Sequence, residues 1–254
     1  MIYLVFPVYN EGEAVAKLID DTVFHMTEGN LPYTIVVVND ASTDNTHHII
    51  ERYKSEYPLI YINNEINLNY GGSIWRGFQY VLEHLLENDI VVTMDGDNTH
   101  NPGLILKMVR LIREGNDVVI ASRYHKGGTV VGYGLIKRII SRIGNIIYRV
   151  VLPIRRVKDY TSGFRAYRGS TLLRLHKIYG DKIIERKDFT SVVEILVKLR
   201  RLKSVFFQEI SFIYRYDKKE EPSKMNLKTN TVAHLLLVMD IINNRFRTLK
   251  KGLD

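Results

Sequence analysis

The sequence predicts an α/β fold built on a mostly parallel sheet flanked by helices, and three observations support that class. The chain has 254 residues, enough for one large domain. Apolar residues make up 45% of it and charged residues 25%, which is the balance of a globular protein. Short apolar runs alternate with amphipathic patterns over roughly the first half of the chain. Such alternation implies crossover connections between parallel strands, with ligands bound at the carboxyl ends of those strands.

Each strand is predicted from a short run rich in β-branched residues, as expected for strands buried on both faces. The runs are Tyr3–Val8, Thr34–Val38, Leu59–Ile62, Ile90–Met94 and Val118–Ala121. Amphipathic spacing predicts helices between them, and it is clearest at Glu13–Met26, Ser73–Leu86 and Gly103–Glu114.

The pattern changes after Tyr124. A stripe of Leu, Ile and Val at helical spacing, accompanied by four cations and no acid, predicts a basic amphipathic helix over residues 134–152. The elements predicted after it are a helix at Ser191–Arg201, a strand at Val205–Tyr214, a loop at Asp217–Lys224 and an amphipathic helix at Thr231–Leu249. We therefore expect one domain over residues 1–225, with the basic helix inserted in it, and a helical tail over residues 226–254.

Composition excludes several classes of site. The chain has no cysteine, which excludes disulfides, thiolate zinc sites and cysteine nucleophiles. Its net charge is +8, yet the segment from Arg123 to Arg168 alone carries +10, so the remainder is slightly acidic. An excess of this kind indicates an anionic partner: nucleic acid, a phosphate-bearing substrate or an anionic membrane. Neither a leader pattern nor an apolar run of about 20 residues is visible, so we expect a soluble or peripheral protein.

Polar residues cluster where the predicted strands end. Asp95-Gly96-Asp97 follows the fourth strand, and two carboxylates so placed can hold Mg²⁺ or Mn²⁺, although the same residues also suit a solvated turn. Asp40 follows the second strand, where a carboxylate can accept a hydrogen bond from a base or ribose. Asn10 and Glu11 follow the first strand and could simply cap the next helix.

Two nucleotide-binding classes are disfavoured by these loops. None of them has the G-x-G-x-x-G spacing of a dinucleotide-binding turn. The glycines Gly72 and Gly77 have P-loop spacing, but Phe78 stands where that motif requires lysine.

Six motifs occur together in order, and with them the chain resembles the family 2 glycosyltransferases, in particular the dolichyl-phosphate (polyprenyl-phosphate) mannosyltransferase branch. The motifs are Pro7-Val8-Tyr9-Asn10-Glu11, Asn39-Asp40-Ala41-Ser42-Thr43-Asp44, Asn69-Tyr70-Gly71-Gly72, Asp95-Gly96-Asp97, Ser122-Arg123-Tyr124 and Thr161-Ser162-Gly163-Phe164-Arg165. The resemblance covers roughly residues 2–225 and implies the GT-A, or nucleotide-diphospho-sugar transferase, fold with amphipathic interface helices.

The resemblance also implies roles for individual residues. The donor-binding set is Pro7, Tyr9, Asn10, Glu11, Asp40, Asp95, Gly96, Arg215 and Lys224, with Asp40 on the base. Asp95 and Asp97 are implied to bind the metal, Mg²⁺ or Mn²⁺. The set implied for the acceptor phosphate is Arg123, Lys137, Arg138 and Ser141. The catalytic group is implied to be Asp97, Arg123 and Asp159. Asn98-Thr99-His100 departs from the commoner Leu-Gln-His after the second aspartate, which leaves the third metal ligand open.

The activity implied is the inverting, metal-dependent transfer of a single sugar, mannose or glucose, from a GDP- or UDP-linked donor to a polyprenyl or dolichyl phosphate. A phosphate monoester is already anionic at neutral pH, so this acceptor needs no general base. The alternative is elongation of a cell-surface glycan on a hydroxyl acceptor, for which Asp159 is the candidate base. Asp159 could instead orient Arg165 or the acceptor, or form an ion pair within the basic segment.

The expected partners are the nucleotide sugar, the polyprenyl phosphate and an anionic membrane surface, together with a small membrane subunit or a second copy of the chain. The basic helix over residues 134–152 could pack on its own domain, but its four cations favour contact with anionic headgroups. A nucleic-acid surface is disfavoured because these cations lie on an Ile-rich helix and not among stacking aromatics. The expected location is the cytoplasmic face of the membrane.

Overall fold

The computed structural model describes residues 1–219 and 227–243, and a seven-stranded sheet lies at its centre. The strands are β1 (Ile2–Val8), β2 (Tyr33–Asn39), β3 (Leu59–Asn63), β4 (Ile90–Thr93), β5 (Val118–Ser122), β6 (Thr129–Val131), β7 (Arg165–Arg168), β8 (Phe207–Ser211) and β9 (Ile213–Arg215). The order of strands in the sheet is β3-β2-β1-β4-β7-β5-β8, and pairing is parallel except where β7 runs antiparallel between β4 and β5. A separate pair of parallel strands, β6 and β9, lies beside it.

Eight α-helices connect these strands in the part of the chain described. They are α1 (Gly12–Glu28), α2 (Thr46–Glu56), α3 (Asn69–His84), α4 (Leu104–Arg113), α5 (Leu135–Val151), α6 (Gly169–Tyr179), α7 (Ser191–Arg200) and α8 (Leu227–Ile242). Short 3-10 turns occupy Gly180–Lys182 and Tyr216–Lys218. Every described helix is too short or too polar to cross a membrane.

The core forms two apolar layers, one on each face of the sheet. Side chains alternate along a strand, so in β1 Leu4 and Phe6 enter the layer under α1 and α4, whereas Tyr3 and Val5 enter the layer under α3, α6 and α7. All seven residues of β1 are buried, as its continuous apolar sequence predicts for a strand covered on both faces. The α/β class with a mainly parallel sheet is therefore confirmed.

The predicted strands before Tyr124 and the helix over residues 134–152 are confirmed to within a few residues, but the single strand predicted at Val205–Tyr214 is wrong. The chain leaves the main sheet at Phe212, whose amide donates to Ser122 O of β5 at 3.0 Å. The carbonyl of Phe212 then accepts from Thr129 N of β6 at 3.0 Å, so β8 and β9 belong to different sheets. The domain boundary at residue 225 stays a prediction, because residues 220–226 lie outside the described part.

Helix α5 turns its apolar stripe away from the core. Six of its large apolar side chains have exposed fractions between 48% and 74%: Leu135, Ile136, Ile139, Ile143, Ile146 and Val150. The buried side chains of the same helix are Asn145 and Tyr148. These six side chains therefore do not pack on the described domain, whereas packing there is the alternative that the sequence left open for this helix.

Candidate active site

Two cavities meet at the carboxyl edge of the sheet. The loop cavity, of about 410 Å³, lies among the loops that follow β1, β2 and β4. The helix cavity, of about 380 Å³, extends between α5 and α8. The residues that line both cavities, which we call the junction, are Tyr70, Asp95, Asp97, Phe189, Lys219 and Asn230. Parallel strands bring their carboxyl ends to one edge, which explains why separate loops meet here.

The loop cavity contains most of the residues implied to bind the donor, namely Pro7, Tyr9, Glu11, Asp40, Asp95 and Gly96. Asp40 is held in place by Leu68 N at 2.8 Å and Asn64 Nδ2 at 2.9 Å, both donating to Oδ1. Gly96 packs so tightly on β1 that a Cβ atom there would lie 2.3 Å from Val8 Cγ1. A side chain at that position would push the acidic loop off the sheet.

Asn10 is near the loop cavity but does not line it. Its backbone has a φ of 51°, in the left-handed region. Its side-chain oxygen accepts from Thr43 N at 2.7 Å, and its backbone N–H donates to Ser42 Oγ at 2.8 Å. Asn10 therefore ties the loops after β1 and β2 together.

The two acids of the junction have different surroundings. Asp95 accepts from the Tyr70 hydroxyl at 2.9 Å, and burial raises the pKa of Asp95, a rise that the His100 ring partly offsets. Burial also acts to raise the pKa of Asp97, but the ammonium of Lys219, 2.6 Å from Oδ2, together with His100 and Thr99 holds that pKa below its ordinary value. Asp97 also accepts from Thr99 Oγ1 at 2.5 Å. At neutral pH the junction thus keeps an ionised Asp97 beside a fixed positive charge.

Lys219 is the charged junction residue that the sequence did not identify. It is only 13% exposed and lies 3.7 Å from Glu11 Oε1 as well as 2.6 Å from Asp97. In the sequence it belongs to a charged run, next to the exposed Lys218, and nothing local separates the two lysines. Only the path of the chain after β9 brings one of them to the acids.

The donor set at the junction fits a hard divalent cation. Two carboxylates lie one residue apart at a strand end, and the ammonium of Lys219 beside Asp97 shows that this position attracts positive charge. In residues 1–219 and 227–243, no three Asp, Glu, His or Cys side chains gather as a ready metal cage. Asp95 and Asp97 could hold Mg²⁺ or Mn²⁺ only with further oxygen ligands from a bound phosphate and water. Thr99 bonds Asp97, and the ring of His100 stacks on Phe164.

Arg123 and Asp159 form a buried ion pair at the wall of the helix cavity. Asp159 is fully buried and accepts from Arg123 at three places, the backbone N at 2.9 Å, Nε at 2.8 Å and Nη2 at 2.7 Å. Burial alone would raise the pKa of Asp159, but the guanidinium lowers it below the ordinary value. Of the roles predicted for Asp159, the structure shows the ion pair within the basic segment. The Arg165 guanidinium donates elsewhere, to the carbonyls of Tyr160 and Val192.

Of the remaining residues implied to bind the acceptor phosphate, two line the helix cavity and one does not. Lys137 and Ser141 line the helix cavity, and Lys137 Nζ lies 5.3 Å from the centre of the Tyr216 ring. Arg138 points away from the cavity, since its Nη2 donates to Val130 O at 2.8 Å.

The structure describes one of the two C-terminal cations implied to bind the donor, Arg215, and this residue lines neither cavity. The guanidinium of Arg215 is exposed and bonds Asp217 at 2.7 Å. Lys224 lies outside the described residues.

The walls of the helix cavity are mostly apolar beyond its basic end. Ile140, Ile143 and Ile147 of α5 face Leu235 and Val238 of α8 across it. The two helices are joined by a hydrogen bond of 2.6 Å between Tyr148 Oη and His234 Nδ1. A ligand with an anionic head and an apolar tail matches this combination of walls.

Comparison with known proteins agrees with the geometry. Residues 3–174 match the family model described as Glycosyl transferase family 2. The dolichol-phosphate mannosyltransferase of Pyrococcus furiosus is 33% identical over 231 residues, which are 90% of this chain and 60% of that protein, so the chain spans less than two thirds of its length. The undecaprenyl-phosphate mannosyltransferase of Micrococcus luteus is 28% identical over 84% of each chain.

Solved structures show the same fold. Glucosyl-3-phosphoglycerate synthase from Mycobacterium tuberculosis, in complex with Mn²⁺, UDP and phosphoglyceric acid, superposes with a TM-score of 0.65 at 17% identity. The superposition covers the whole of this chain and 81% of that one. The GT-A fold expected from the sequence is therefore confirmed.

Proposed function

Because this chain belongs to glycosyl transferase family 2, we propose that it transfers a single sugar from a nucleotide sugar to a polyprenyl phosphate. The observation that carries the proposal is the meeting of the two cavities at Asp95 and Asp97. The loop cavity has the size and hydrogen-bonding groups for a nucleotide, and the helix cavity combines Arg123 and Lys137 with apolar walls. Two of the similar proteins are named as transferases acting with dolichol phosphate and undecaprenyl phosphate.

The donor is proposed to bind in the loop cavity with its base against Asp40 and its diphosphate at the junction. Asp95 and Asp97 would hold Mg²⁺ or Mn²⁺, which when bound neutralises charge on the diphosphate leaving group. Lys219 lies beside Asp97 and adds a second positive charge at the same place. Arg215 could contact the diphosphate only after its ion pair with Asp217 breaks. The role of Lys224 in binding the donor stays a prediction.

The acceptor phosphate is proposed to bind at the basic end of the helix cavity, between Arg123 and Lys137. One phosphate oxygen attacks the anomeric carbon, the bond from that carbon to the diphosphate breaks, and the electron pair leaves with the nucleoside diphosphate. No proton has to be removed, because a phosphate monoester is anionic at neutral pH. Direct attack from the opposite face inverts the anomeric configuration.

A hydroxyl acceptor is the less favoured alternative, because the base suggested for it is engaged. Both carboxylate oxygens of Asp159 accept hydrogen bonds from Arg123, and the side chain is fully buried. A carboxylate whose pKa is lowered by a paired guanidinium is a weak base. We therefore assign Asp159 to the positioning of Arg123.

Contact of the enzyme with the cytoplasmic face of an anionic membrane is proposed from helix α5. Its apolar stripe is exposed, and at 3.6 residues per turn Arg138, Arg142 and Arg149 lie along one flank of that stripe. The exposed apolar residues of α8 extend the same kind of surface; they are Val232, Leu235, Leu236, Met239 and Ile242. A small membrane subunit or a second copy of the chain is the other partner that these helices could accept.

The test is incubation with a panel of GDP- and UDP-linked mannose and glucose and a short polyprenyl phosphate, with and without Mn²⁺. We expect one donor to transfer its sugar to the polyprenyl phosphate only when metal is present. Turnover in a metal chelator would contradict the role of Asp95 and Asp97. Transfer to no polyprenyl phosphate from any donor would contradict the proposed acceptor.

A further inference from the structure

A third cavity, which we call the basic groove, lies at the C-terminal end of α5. Its volume is about 960 Å³, and it shares no described lining residue with the loop cavity or the helix cavity. Five cations line it, and its described lining residues include no Asp or Glu. The five are Arg149, Arg155, Arg156, Lys158 and Arg200.

The backbone beneath these cations is fixed by named contacts. Arg200 Nε donates to Pro153 O at 3.2 Å, which joins the end of α7 to the loop after α5. The buried carboxylate of Glu209 accepts from the backbone N of Lys158 at 2.6 Å. Lys158 therefore has an anchored backbone and an exposed side chain. The groove is a surface held in shape by the fold.

The groove also accounts for charge that the proposed reaction does not use. Of the basic segment between Arg123 and Arg168, only Arg123 and Lys137 line the helix cavity as cations. Four groove cations come from the same segment but lie on a different surface. Like charges gathered in one groove repel each other, and a bound anion relieves that repulsion. Arginine suits phosphate oxygens in particular, because its planar fork can donate two hydrogen bonds to them.

The groove is continuous with the exposed face of α5. Arg149 belongs both to the cationic flank of the apolar stripe and to the groove, and Val150 next to it is 74% exposed. Phe206, which also lines the groove, is 63% exposed. Apolar side chains next to cations are the combination that binds the boundary between headgroups and acyl chains.

We infer that the basic groove binds the phosphate headgroups of anionic lipids, in the membrane on which α5 is proposed to lie. The inference rests on that part of the proposed function and adds a headgroup site separate from the acceptor phosphate site. Nucleic acid fits the groove less well because base stacking needs exposed aromatic rings. Of the described aromatic residues that line it, Tyr160 and Phe207 are buried and only Phe206 is exposed.

The test is flotation of the full chain with vesicles of phosphatidylcholine alone and of phosphatidylcholine mixed with phosphatidylglycerol, at low salt. The groove variant is Arg155→Ala/Lys158→Ala, and the charge-matched control is Lys107→Ala/Arg113→Ala on α4, where both side chains are exposed. We expect the wild type and the control to float with the anionic vesicles. The groove variant should partition about 30-fold more weakly, the loss expected for two cations near a charged surface. Unfolding midpoints in urea within experimental error of the wild type would confirm that both variants fold.

Two further arms separate failure of this inference from failure of the proposed membrane contact. The variant Ile139→Ser/Ile146→Ser removes apolar area from the exposed face of α5 and leaves the groove intact. If it loses flotation while the groove variant floats like the control, the groove inference is wrong and the membrane contact stands. If the wild type itself does not float, both are wrong. If the wild type binds free inorganic phosphate, the groove variant does not, and flotation of the two does not depend on anionic lipid, the groove holds a soluble anion and the lipid assignment is overturned. If the groove variant loses binding to RNA but floats as the wild type does, the lipid assignment is also overturned.

Discussion

The substitution Asp159→Asn tests whether the Arg123–Asp159 pair is a structural support of the acceptor site. The change keeps the shape of the side chain but removes the charge that three donors of Arg123 bind at 2.7–2.9 Å. Breaking a buried ion pair by removing one partner costs about 3–5 kcal/mol, because the other charge stays buried without compensation. Arg123 retains 14% exposure, so we expect a loss near the lower limit, about 3 kcal/mol in the free energy of unfolding.

Urea denaturation followed by circular dichroism measures this loss, with Asp217→Asn as the matched control. Asp217 bonds Arg215 at a similar distance, 2.7 Å, but that pair is exposed on both sides, so solvent screens it and its loss should destabilise the fold much less. A loss in Asp159→Asn no larger than in the control would refute the structural role of the pair.

The pH dependence of the same measurement has a defined sign. The folded pKa of Asp159 is lowered, so its contribution is present above the unfolded pKa of about 3.9 and disappears as the pH falls through the folded value. The stability difference between the wild type and Asp159→Asn should therefore be constant from pH 5 to 7 and shrink in stronger acid.

Three further predictions concern catalysis. Lys137→Met should raise the KM for polyprenyl phosphate about tenfold, the loss of one charge-assisted hydrogen bond, without changing the KM for the nucleotide sugar. The side chain of Arg138 bonds Val130 O, so Arg138→Met should change both KM values by less than about twofold. Equal changes in KM for the two variants in steady-state kinetics would contradict the different placement of the two cations. Lys219→Met should lower kcat about 100-fold, as expected for a lost donor to a developing anion. Lys218→Met is its exposed control, and a kcat for Lys219→Met like that of the control would remove Lys219 from the site. The product should carry the anomeric configuration opposite to that of the donor, so a retained configuration in the NMR coupling constants would exclude direct attack.

The parts of the site that follow from strand ends could be predicted from the sequence. Asp40, Asp95 and Asp97 each follow an apolar strand run. Parallel pairing brings the residues after such strands to one edge of the sheet, independently of the sequences of the connecting loops. Lys219 could not be predicted, because its neighbour Lys218 has the same chemistry and only tertiary structure places one of them beside Asp97.

The sequence did not predict strand β7, whereas helix α5 was predicted but not fully determined by its spacing. Strand β7, with the sequence Arg-Ala-Tyr-Arg, has no apolar run, and it is buried because it pairs with β4 on one side and β5 on the other. Its Arg165 donates from Nη1 to Val192 O and from Nη2 to Tyr160 O. The spacing of α5 predicted the helix, and its four cations favoured an exposed stripe over one packed on the domain. An apolar stripe has the same period whether it faces the core or the solvent, so only the packed structure shows that this one is exposed.

The claim that a phosphate is the nucleophile is tested most directly by ³¹P NMR of the acceptor during turnover. The wild-type enzyme, supplied with its nucleotide sugar and metal, should convert the monoester resonance of the polyprenyl phosphate into that of a phosphodiester. The matching polyprenol, which offers a hydroxyl in place of the phosphate, should receive no sugar. Transfer to the polyprenol at a comparable rate, or a sugar-bearing product whose phosphate is still a monoester, would contradict the account.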